Sequence, residues 1–129
     1  MNPITREWVQ KAEGDFATAQ RELRAVKKPN FDAACFHSHQ CAEKYLKARL
    51  HEAKISFPKT HDLLALLDLV LPIEPSWKVL RTDLQSLTIF AVAYRYPGIF
   101  ADRKAAREAF NRCRNIRNIV RQSLGLPKK

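Results

Sequence analysis

Residues 35 to 41 of this 129-residue chain read CFHSHQC, two cysteines bracketing two histidines. Thiolate and imidazole are the usual ligands of zinc, which gathers four of them into a tetrahedron. Whether they can converge depends on the backbone. Proline-free sequence with helical apolar spacing surrounds the stretch, so it lies within a helix. There Cys35 and His39 share one face, His37 and Cys41 another, and the two pairs point roughly 200° apart. Cys113, His51 and His61 are scattered along the chain. The expectation is that no metal is bound: Cys35 is a small core residue, His39 lies at the apolar border and His37 faces outward.

Anion binding is the other chemistry in reach. The stretch DRKAAREAFNRCRNIRNIVRQ places Arg103, Arg107, Arg114, Arg117 and Arg121 within an arc of about 80° on an ideal helix. They flank an apolar stripe of Ala106, Ala109, Phe110, Cys113, Ile116 and Val120. Guanidinium forks match phosphate oxygens, so the five read as a phosphate or nucleic-acid contact. Equally, they pair with acids of the first helix, such as Glu13, Asp15 and Glu22. Arg95 stands between Tyr94 and Tyr96 where a helix meets Pro97. Guanidinium for phosphate and ring for base would suit a nucleotide; the alternative is an arginine capping its own helix with both tyrosines in the core. His61 either joins that nucleotide site or bonds locally. Gln40, Glu43, Lys44 and Lys47 form a polar face, for a partner subunit or for water.

Five helices would position these residues, and the 7 prolines fall between them. Asn2 and Pro3 start the first, which runs to about Val26 with Trp8, Ala12, Phe16, Ala19 and Leu23 inward. The second covers about Phe31 to Ala53, with Phe31, Cys35, Ala42, Leu46 and Ala53 on one side and Gln40, Lys44, Lys47 and His51 opposite. The third runs from a Thr60 cap to about Leu71, the fourth from Ser76 to Tyr94, and the fifth from an Asp102 cap to about Leu124. The fold class is all-α, an up-and-down bundle of four to five helices, with residues 1–129 as a single domain.

Net charge is +10, from 23 Lys and Arg against 13 Asp and Glu. That excess favours anionic partners, or serves solubility alone. No apolar run is long enough for a bilayer, and MNPITREWVQ is too polar for a signal peptide. Three cysteines cannot all pair within the chain, and reduced thiols in the cytoplasm are expected.

The pattern Gln40-x-Ala42-Glu43-Lys44-x-Leu46-Lys47 closely resembles the second-helix signature of HEPN domains, small helical domains linked to nucleotide binding. KTHDLLALL (59 to 67) is similar to the family's His-x-Leu turn into its third helix, and AYRYPG (93 to 98) to its Arg-Tyr-Pro element. Order and spacing agree over essentially the whole chain. The resemblance implies a four- or five-helix bundle, a homodimer, and a partner protein of the minimal nucleotidyltransferase class in a two-component, toxin–antitoxin-like system. The family's link to nucleotides implies an ATP-like ligand, and Arg95, Tyr96, Tyr94 and His61 are the residues that the reading above offers for it. Some members are metal-independent ribonucleases that use Arg-x(4–6)-His. Here NFD, DAA, KYL and KIS stand five to seven positions before His37, His39, His51 and His61, so no arginine occupies the required place. Proton transfer near neutral pH needs a group such as histidine, and the family's catalytic pair is missing. The expectation is a non-catalytic module without metal or cofactor. RNA binding, or a diverged ribonuclease using His37 or His61 near Arg95, is the alternative.

Overall fold

In the computed structural model of the protein, which describes residues 1–128, Asn2 accepts a 2.8 Å bond from the Ile4 amide and opens α1 (Pro3–Arg24). Asn30 caps α2 (Phe31–Glu52), Asp62 caps α3 (Leu63–Val70) and Asp102 caps α5 (Arg103–Ser123). Between α3 and α5, a 3₁₀ segment (Pro75–Leu80) leads into α4 (Arg81–Ala93). The described residues contain helices and no strand, an all-α bundle as the sequence led us to expect.

Two boundaries differ from the sequence reading. Thr60 does not cap the third helix: its hydroxyl accepts from the Asp62 amide, and Asp62 in turn accepts from Leu64 and Ala65. His61 therefore lies in the approach to α3 rather than in its first turn. The stretch from Ser76 is not α-helical at its start; with Pro75 leading, it winds as the 3₁₀ segment that buries Trp77 and Leu80.

The larger correction concerns α2. It is not half apolar and half wet, but the central helix, flanked by α1, α3, α4 and α5. Its small residues Ala34, Cys35, Ser38, Cys41, Ala42 and Ala48 let the neighbouring helices approach, and Tyr45, Leu46 and Leu50 fill the space between. Each of those leucines contributes about 2 kcal/mol by burial. Glu43 and Lys47 are buried too, so the supposed polar face is partly internal. Their charges are matched: Lys47 Nζ donates to Glu43 Oε2 at 3.0 Å and stands over the rings of Trp8 and Phe57.

α1 packs along α2 with charged and polar side chains bonded across the seam. His37 Nδ1 donates to Asp15 at 2.7 Å and Lys44 Nζ donates to its other oxygen at 2.6 Å. His37 is thus held against α1 rather than turned out to solvent. Across the bundle, Phe16 of α1 stacks on Phe110 of α5 with centroids 4.9 Å apart.

Candidate functional site

The side of α2 that carries His39 and Glu43 receives residues from two distant loops. Glu43 Oε1 accepts a 2.9 Å bond from His61 Nδ1, while Oε2 serves Lys47. A carboxylate acceptor takes its bond from Nδ1, so Nε2 is the ring nitrogen left on the open side. The His61 side chain is 79% exposed while Glu43 is buried beneath it. An anchored ring with an open outer face results.

His39 lies one turn before Glu43, itself buried. Burial pushes its pKa below the ordinary imidazole value; Glu43 opposes this, and the charges of His61 and Arg95 reinforce it. Arg95 therefore belongs to the same electrostatic neighbourhood as His39 and His61. It sits just past α4, exposed, with its amide bonded to the Val92 carbonyl and its guanidinium in no hydrogen bond among the described residues. The capping role held open for Arg95 is not taken up.

The two tyrosines beside Arg95 part company. Tyr96 is 60% exposed, next to the turn in which Gly98 takes a left-handed φ of 86°. Tyr94 instead packs on the core, its ring stacked near Phe90. Burial raises its phenol, and the nearby carboxylates Asp102 and Asp32 add to the rise. Packed against the core, it offers less open face than Tyr96. Gln40, one turn before Glu43, has its side-chain oxygen buried without a hydrogen-bond partner. An orphaned acceptor of this kind is rare and marks a place where a donor belongs.

The five α5 arginines do not form one exposed stripe. Arg117 and Arg121 are buried: Arg117 grips both oxygens of Glu13, each at 2.7 Å, and Arg121 donates to the Tyr45 hydroxyl at 3.0 Å. Both also hold carbonyls of the C-terminal tail, at Lys128 and Pro127. The pairing with first-helix acids is thus realised for Glu13, whereas Asp15 goes to α2 and Glu22 accepts the Asn30 amide. Arg103, Arg107 and Arg114 remain exposed.

Glu43, His39 and Lys47 were missed as parts of the corner. A carboxylate four residues from both a histidine and a lysine, in a helix otherwise full of Ala, Leu and Cys, was the available signal. Cys35 and Cys41 are buried thiols; burial pushes Cys35 up to about 12 and holds Cys41 well above its usual range. Among the described residues no three His, Cys, Asp or Glu side chains are grouped to hold a metal ion, and no helix is long and apolar enough to cross a membrane.

The three stretches that converge here are the α2 segment around Glu43, the loop bearing His61 and the corner bearing Arg95. No curated protein and no solved structure matches the chain. The family model of the HEPN domain does, from residue 5 to residue 123, and the chain therefore belongs to the HEPN domain family.

Proposed function

We propose that the protein is a non-catalytic, dimeric HEPN module that binds a nucleotide at the His61–Arg95 corner. Arg95 takes the phosphate, Tyr96 the base, and His61 a phosphate or sugar oxygen. The observation that carries this reading is the pairing of His61 with Glu43. It spends a buried carboxylate on orienting an exposed ring, and the buried His39, one turn before Glu43, feels the charges of both His61 and Arg95. Neither Tyr94 nor the buried Arg117 and Arg121 takes part. A second copy of the chain is the expected homodimer partner, and Ile89 and Val92, exposed three residues apart on α4, are the apolar surface for it. A minimal nucleotidyltransferase is the partner class that the family brings.

The test is thermal unfolding with ATP, against sulfate and pyrophosphate at equal ionic strength. Ligand at about a hundred times its dissociation constant adds roughly 2.7 kcal/mol. The expected result is a rise beyond the anion controls that Arg95→Ala abolishes. ATP acting no better than sulfate would end the nucleotide reading.

The same pairing favours a second reading, a diverged ribonuclease. His61 Nε2 is placed to take a proton, with Arg95 to steady the phosphate. Cleavage of a labelled RNA that disappears in both His61→Ala and Arg95→Ala would establish it over the first.

A further inference from the structure

The end of the bundle where α1 stops and α5 begins carries an excess of positive charge. Arg24, Lys27 and Lys28 close and follow α1; Arg103, Lys104 and Arg107 open α5; all six are exposed. The two groups are tied together. Arg103 Nη1 donates to the Leu23 carbonyl at 2.9 Å, and Asp32 at the start of α2 accepts from the Ala101 amide at 2.7 Å. None of the six stands in an ion pair among the described residues. The nearby carboxylates bond elsewhere: Glu22 to the Asn30 amide, Asp32 to Ala101 and Asp102 to Ala105, while Glu108 and Asp83, which share a cleft with Lys104 and Arg107, bond Arg112.

Aromatic rings stand among these charges. Phe100 is 80% exposed, and it lines an open cleft with Lys28, Pro29, Asn30, Phe31 and Asp32. The Arg103 guanidinium lies over the Phe31 ring, 4.9 Å from its centroid. A large bare ring in a polar, cationic surface has no folding role that we can assign to it. It offers a stacking face.

We propose that this end of the bundle binds single-stranded nucleic acid, its backbone phosphates lying across Arg24, Lys27, Lys28, Arg103, Lys104 and Arg107 and one base stacking on Phe100. Cations spread over two helix ends track a chain of phosphates better than they enclose one nucleotide. A single exposed ring suits an unpaired base, whose face is free, and not a duplex. The surface is built from residues other than those of the His61–Arg95 corner, and it stands whether or not that corner binds a nucleotide.

The experiment is fluorescence anisotropy of the full chain with labelled oligouridylate and oligodeoxyuridylate, at two salt concentrations. Four phosphate contacts would weaken binding about fifty-fold between roughly 50 and 200 mM salt. Lys27→Glu/Lys104→Glu/Arg107→Glu, which removes no ion pair, is expected to abolish binding. Phe100→Ala is expected to weaken it by about fivefold or more. His61→Ala and Arg95→Ala are expected to leave it unchanged, which separates this surface from the corner. Preference between the two oligomers reports whether the sugar hydroxyl is read. Should the triple variant fail to fold, the Phe100→Ala loss and the salt dependence still decide. No binding at low salt, or binding that neither variant weakens, would overturn the proposal. So would full competition by polyglutamate with Phe100→Ala silent, which would assign the surface to an acidic protein.

Discussion

Arg117 holds Glu13 in a two-pronged grip, Nε to Oε2 and Nη2 to Oε1, each at 2.7 Å, across the α1–α5 seam. The Tyr45 hydroxyl also donates to Glu13, and Arg121 approaches it to 3.8 Å. One carboxylate thus serves two buried guanidinium groups. Breaking a buried pair from one side strands the other charge, which costs more than the pair is worth. Glu13→Ala is therefore expected to lose about 2–3 kcal/mol, moderated because Glu13 is itself only partly buried. In a chain of this length that lowers the melting temperature by roughly 10 °C. A melt within a degree or two of wild type would show that water can replace Glu13 at this seam.

Acid should weaken the fold in two separate windows. Burial raises the Glu13 carboxyl, but the bonds from Arg117 and Tyr45 and the charges of Arg117 and Arg121 outweigh it and leave the pKa below its usual value. A depressed carboxyl stabilises the fold above its unfolded pKa, and that stability is lost as pH falls through the folded one. His39 is depressed as well, chiefly by burial. Its neutral form is favoured in the fold, so stability begins to fall below about pH 6.5, where the unfolded chain takes the proton first. Denaturant melts should show an upper loss that His39→Phe reduces and a lower loss that Glu13→Gln reduces. A profile flat from pH 7 to 5 would contradict the His39 part.

The corner contains one residue for the fold and one for the surface. Glu43 compensates a buried lysine, so Glu43→Ala leaves Lys47 charged between Trp8 and Phe57 and is expected to cost about 3 kcal/mol or more. His61 is mostly exposed, and His61→Ala is expected to cost less than about 0.5 kcal/mol. The double variant Glu43→Gln/Lys47→Met should recover much of the loss, since it removes both charges together. Equal destabilisation by His61→Ala and Glu43→Ala would mean that the histidine is structural and the corner is not a site.

How far the sequence disclosed this arrangement depends on the range of the interaction involved. Local caps were readable: Asn2 and Asp102 sit where short polar residues precede periodic helices, and both cap as expected. Thr60 competed with Asp62 two residues on, and composition does not rank such neighbours. The wheel gave the five α5 arginines a common direction. It could not show that Glu13, some hundred residues earlier, withdraws two of them. α2 was misread because its buried residues are small or paired: Ala, Cys and Ser do not mark a core as Leu does, and Glu43 with Lys47 looks like any exposed helical pair. The convergence of His61, Glu43 and Arg95 required knowing which loops meet, and helical periodicity carries no such information.

The exposed side of α4 is expected to be where two copies of the chain meet. Ile89 is 65% exposed and Val92 51%, while Gln85 one turn earlier continues the same exposed row. Branched apolar side chains left in water by one chain are covered without rearrangement when a second presents the same face about a two-fold axis. Each fully covered side chain contributes about 1.5–3 kcal/mol, and it does so twice in a symmetric pair. Light scattering should accordingly give twice the chain mass of 14.9 kDa for the wild type. Ile89→Asp/Val92→Asp should give the single mass with the helical signal intact, because neither residue supports the monomer's core. The effect on ligand binding is the more telling half of the measurement. Tyr96 lies four residues beyond Val92, so the proposed nucleotide corner borders this surface. If the monomeric variant also loses the ATP-dependent rise in melting temperature, the corner is completed by the second copy. If the rise survives, each chain carries a whole site. A wild type that is monomeric from the start would remove the dimer from the proposed function and leave the corner to be judged by Arg95→Ala alone.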